Sequence, residues 1–135
     1  MGTTAMVLTL FIAWTLLLLV LMEVLRGALV ARRRVAANAF SPDNANLSPF
    51  MQRLARAHAN CVESFPVFGG LMLVALLLGR TGVTDPLAPW LLAARIVQSC
   101  VHLSSLSVAA VNARFAAFFV QTLIAIYWTL ALLFG

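Results

Sequence analysis

The 135-residue chain is 63% hydrophobic and only 10% charged. A soluble domain of this length needs far more charge to cover its surface, so the composition demands lipid as solvent. The formal net charge of +5 rests on arginine alone, and those few residues sit between apolar runs, which marks membrane topology and leaves no nucleic-acid partner to expect.

Four apolar segments follow one another, at about residues 5–30, 48–79, 86–111 and 115–134. Each reaches the roughly 20 residues that cross a hydrocarbon core of about 30 Å, and backbone amides in lipid find partners only within a helix. The expected fold class is all-α: an integral membrane four-helix bundle forming a single domain over residues 1–135. The first segment has no basic stretch ahead of it and runs too long for a secretory signal core. Arg32-Arg33-Arg34 follows as a stop-transfer signal, so the segment is expected to persist as a membrane span. The loop from Arg32 to Leu47 contains Ser41-Pro42-Asp43-Asn44. Ser48-Pro49 reads as an N-cap followed by proline at the first helical position, and Asp85-Pro86 repeats that arrangement before the third helix. Gly79 to Gly82 supplies a short turn. Pro66 should kink the second helix and free the carbonyl of Val62. The two cysteines, Cys61 and Cys100, lack the spacing of a disulfide framework or a metal site, and no metal is expected.

Arg26, Arg32, Arg33, Arg34, Arg53, Arg56 and Arg114 flank one side of the bundle, with only Arg80 in the opposite loop. The positive-inside rule then directs both termini away from the cytoplasm. The alanine- and arginine-rich composition without lysine points to a GC-rich bacterial source, and so to a bacterial plasma membrane.

Chemistry must lie in the polar residues that lipid should have excluded. At about 100° per residue, Arg53, Arg56, Asn60 and Glu63 fall within an arc of roughly 80° on the second helix. Arg95, Gln98, Ser99, His102 and Ser105 share a face of the third, and Arg114 shares one with Gln121 on the fourth. The first helix holds Glu23 and Arg26 three residues apart. A charge at mid-bilayer costs about 2.5–3.5 kcal/mol on insertion scales, so Glu63 and Arg95 are expected to face the bundle interior, where they are candidates to pair, with Glu23 as the competing partner. The stripes describe an arginine-rich cavity suited to a polar ligand with more negative than positive charge, in which Glu63 receives an ammonium group.

The stretch Arg53-Leu-Ala-Arg56-Ala-His58-Ala-Asn60-Cys61-Val-Glu63-Ser-Phe-Pro66 closely resembles the second-helix signature of the MAPEG family, the membrane-associated proteins in eicosanoid and glutathione metabolism. The basic first loop with Phe40-Ser-Pro-Asp43 and an arginine within the third helix extend the similarity over nearly the whole chain. The resemblance implies a microsomal glutathione transferase-like protein: a homotrimer in the lipid bilayer that binds glutathione as co-substrate in clefts between protomers. It implies glutathione contacts from Arg56, His58, Asn60, Glu63 and Arg95, with Gln98 and His102 where family enzymes often carry tyrosines. It also makes Arg114 the catalytic cation beside the sulfur. Lowering a thiol pKa from about 8.5 by two units takes about 2.7 kcal/mol of differential stabilisation. The implied reaction is attack of the thiolate on a hydrophobic electrophile, or reduction of a hydroperoxide. The alternative is a non-enzymatic lipid- or glutathione-binding member of the same family.

Overall fold

The computed structural model describes all of residues 1–135 and is entirely helical: α1 (Thr3–Ala31), α2 (Pro49–Leu77), the single turn α3 (Thr81–Thr84), α4 (Ala88–Ser104) and α5 (Val108–Phe134). Three of these, α1, α2 and α5, are long and apolar enough to cross a membrane. Helix α4 has 17 residues, which at 1.5 Å per residue spans about 25 Å, less than a typical hydrocarbon core. It packs against α1, α2 and α5.

The second helix opens as its sequence reads. Ser48 Oγ accepts from the Met51 N–H, and Pro49 occupies the first turn, where its missing N–H costs nothing. The helix runs through Pro66 without a break. It ends in a Schellman arrangement: Arg80 N donates to Ala75 O at 2.8 Å, Gly79 N donates to Leu76 O at 3.2 Å, and Gly79 takes a φ of 64°. Only a residue without a Cβ adopts that conformation cheaply.

Two boundaries differ from the sequence reading. Asp85 does not cap the third helix. Its carboxylate accepts from the Thr4 backbone N–H at 3.0 Å, satisfying the first turn of α1, while α4 starts at Ala88 without a side-chain cap. The third helix also stops at Ser104 instead of reaching Val111. Ser105 is extended (φ −162°, ψ 156°), and Ser107 Oγ accepts from Ala110 N at 3.1 Å to start α5. Serine competes for backbone donors at helix ends, so Ser105-Leu106-Ser107 breaks an otherwise continuous apolar run. Arg114 therefore lies about two turns inside α5, not at its start.

Contacts at the two ends of the bundle establish where the chain begins and finishes. Thr4 meets Thr84 and Asp85, and the Arg80 guanidinium donates to Ala131 O and Leu132 O at 2.9 and 2.8 Å. Both termini thus share one end with Arg80. At the other end, Arg26 donates to Ser41 O and to Asn44 Oδ1, beneath the ring of Phe40 at 5.4 Å. Asn44 is fully buried and donates to Met51 O at 2.8 Å, which ties the first loop to the start of α2. Glu23 and Arg26 pair along α1 at 3.4 Å and do not bridge helices. Asp43 is exposed, and the Ser41 hydroxyl that donates to it holds its carboxyl below the ordinary carboxylate value, helped by the Ala45 N–H.

The interior consists of two apolar clusters. One, toward the termini, contains Phe11, Phe68, Met72, Leu91 and Trp128; the other contains Leu18, Met22, Leu54, Ala57 and Cys61. Outward faces carry Leu10, Leu17, Leu73, Phe119 and Ile126, the surface that lipid accepts.

Candidate functional site

The polar residues separate into an enclosed ring, a pair beside it, and an outward set. Helix α4 turns Arg95, Gln98, Ser99 and His102 inward, all buried. Arg95 Nε donates to Gln121 Oε1 at 2.9 Å, and its Nη1 donates to Asn60 Oδ1. Gln98 Nε2 donates to the same Asn60 oxygen at 3.2 Å, while Gln121 Nε2 donates to Gln98 Oε1 at 2.8 Å. The four side chains close a ring across α2, α4 and α5. Arg95 Nη2 is sealed without a partner, and no carboxylate reaches the guanidinium. Phe11 and Phe68 flank it, each with its ring centre 5.8 Å away, and their π faces offset part of the cost of the buried charge. Beyond the ring, Trp14 Nε1 donates to Ser99 Oγ at 3.0 Å.

This arrangement corrects the expected pairing of Glu63 with Arg95. Glu63 is exposed on the surface of the chain, and the ion pair of Glu23 with Arg26 is the only one present. Side chains spaced three and four apart do share a face of α2, but the face straddles the edge of the bundle. Asn60 falls on the inner margin and Glu63 on the outer. Glu63 lies in a groove of about 470 Å³ between α2 and α5, lined by Ser64, Val67, Phe118, Thr122 and Ile126. Arg56 is exposed in a separate cavity of about 400 Å³ with Arg53, Asp43 and Leu106. His58 points the other way, into a groove of about 590 Å³ between α1 and α2 that holds Ile12, Leu16 and Phe65.

The remaining pair joins α4 to α5. Arg114 Nη1 lies 2.7 Å from His102 Nδ1. Arg114 Nε is sealed without a partner, whereas its Nη2 makes no hydrogen bond and is not among the sealed atoms. Arg53 Nε donates to Leu103 O at 3.0 Å, beside this pair. Of the residues singled out from the sequence, Asn60, Arg95 and Gln98 thus meet one another, as do His102 and Arg114. Arg56, Glu63 and His58 open onto three different surfaces of the single chain. Gln121 completes the ring although nothing in the helix-two signature names it; a lone amide in an apolar span was the available signal.

The model of the MAPEG family matches residues 4–134. The chain belongs to the MAPEG family. No curated protein matches it, and no solved structure does. The match covers all five helices, so this is an integral membrane protein of the family associated with eicosanoid and glutathione metabolism.

Proposed function

We propose that this MAPEG protein is a microsomal glutathione transferase-like enzyme: a four-helix bundle that assembles as a homotrimer and binds glutathione at the boundary between protomers. Glu63 carries the reading. Its carboxylate is unpaired and exposed midway along α2, in a groove of apolar side chains. Facing lipid there would cost about 2.5–3.5 kcal/mol, so a polar ligand or a neighbouring subunit must cover it. An ammonium group, such as that of a γ-glutamyl residue, satisfies the carboxylate. Arg56, Asn60 and His58 join the site once a second protomer closes it. Arg95 and Gln98 support it from within by orienting Asn60.

Arg114 acts on the sulfur. A guanidinium with one accessible amino group, Nη2, stabilises a thiolate over a thiol. The thiolate then attacks an electrophilic carbon of a hydrophobic molecule drawn from the bilayer and displaces its leaving group, such as halide. With a hydroperoxide it cleaves the O–O bond instead, releasing the alcohol and a sulfenic acid that a second glutathione converts to the disulfide and water. The seven arginines gathered at the end away from Arg80 favour a cytoplasmic glutathione-facing end with both termini outside, and the lysine-free, alanine- and arginine-rich composition favours a bacterial plasma membrane.

A non-enzymatic binding role is the second reading. It is favoured by Gln98 and His102, which stand on α4 where enzymes of the family often carry tyrosines. Detergent-purified protein conjugating glutathione to a generic aryl halide, with at least a tenfold loss in Arg114→Ala, is the expected result. Measurable glutathione binding with no conjugation and no peroxidase activity refutes the enzyme and leaves the second reading.

A further inference from the structure

Arginine has only donors, so the 2.7 Å approach of Arg114 Nη1 to His102 Nδ1 requires Nδ1 to be the acceptor. A proton on that nitrogen would set N–H against N–H. His102 is thereby held neutral with its proton on Nε2. That second ring nitrogen has no partner in the chain and is not among the sealed atoms, although the residue is largely buried. The same holds for Arg114 Nη2. Arg114 has no carboxylate to orient it, and His102 is the only side chain that contacts its guanidinium by a hydrogen bond.

We infer that His102 is a positioning residue for Arg114: its unprotonated Nδ1 anchors Nη1 so that the accessible Nη2 group is presented to an anion. This deepens the proposed function and rests on it for the identity of the anion, the glutathione thiolate. A long arginine side chain without a carboxylate anchor samples many rotamers, and orienting it in advance removes that entropy from the binding step.

The experiment has two arms. The chain has only two histidines, so ¹⁵N-histidine NMR of the detergent-purified full chain resolves His102, with His58→Gln for assignment. His102 should show a single tautomer protonated at Nε2, and Arg114→Ala should convert it to a mixture. A mixed tautomer in the wild type, or a spectrum unmoved by Arg114→Ala, overturns the anchor. The second arm follows the ultraviolet absorbance of the thiolate while the glutathione complex is titrated with base. His102→Leu should raise the apparent thiol pKa by about one unit, a tenfold loss of thiolate at fixed pH. Asparagine keeps an oxygen where Nδ1 sits, so His102→Asn should restore most of it. Glutamine extends its amide to the Nε2 position, so His102→Gln should behave like leucine. Rescue by glutamine and not asparagine would make His102 a direct donor to the ligand and end the positioning role. An intact tautomer with no thiolate band in any variant would instead refute glutathione chemistry while leaving the anchor in place.

Discussion

Replacing Gln121 with leucine tests the enclosed ring. The substitution removes the acceptor of Arg95 Nε and the donor to Gln98 Oε1, both of which link α4 to α5. Neutral interhelical hydrogen bonds in membrane proteins average about 0.6 kcal/mol, because the helices separated in lipid find other partners. Hydrogen bonds to a charged group are worth about 1.5–3 kcal/mol. The sum, about 2–3.5 kcal/mol of destabilisation, is dominated by Arg95, whose Nε would join its Nη2 as a second sealed and unpartnered donor. Arg95→Met removes the charge along with its partners and should cost less, because relief of desolvation offsets the lost contacts. The double variant should then resemble Arg95→Met, giving a coupling energy of about 2 kcal/mol. Unfolding in mixed micelles of rising SDS content, followed by tryptophan fluorescence, measures all four corners of the cycle. Additivity within about 0.5 kcal/mol would mean that Arg95 draws its stability from water or lipid headgroups, and the argument for a closed ring would fail.

Asn44→Ala should lose about 2 kcal/mol and expose residues 32–47 to limited proteolysis, since it removes both the donor to Met51 O and the acceptor for Arg26. Asp85→Ala should cost about 1 kcal/mol and speed amide exchange at Thr4, because the carboxylate that caps α1 is gone. Asp43 sets a pH limit on the same loop. Its folded-state pKa is depressed, so its contribution is present above the unfolded value and lost as pH falls through the folded one. Loop protection against protease should stay level from neutral pH down to the ordinary carboxylate range and drop only below 3.8. Asp43→Asn should abolish that acid-induced drop.

Much of the architecture was readable from hydropathy because lipid imposes a length and forbids unpaired amides. Ser48-Pro49 and the Gly79 turn were legible for a related reason: each motif is closed by hydrogen bonds among neighbours in the chain. Asp85-Pro86 misled because an aspartate can cap any helix end within reach. Its partner, Thr4, is 81 residues away. The break at Ser105 was hidden by the apolar residues on either side, although the capping role of Ser107 was there to be read.

The candidate site divides along the same line. Periodicity correctly aligned Arg95, Gln98, Ser99 and His102 on one side of α4, since a helix fixes angular positions locally, but it wrongly added Ser105, which is extended beyond the helix end. It could not say whether a given edge of α2 turns toward α4 or away, which depends on how the helices pack. A few tens of degrees of rotation separate Asn60, bonded to Arg95, from Glu63, open in a surface groove. Membrane residence and the helical faces follow from solvation and helix geometry, which act over one or two turns. The partners of Arg95 follow from contacts across 26 and 35 residues of chain and that of Arg114 from one across 12, and those exist only once the helices have docked.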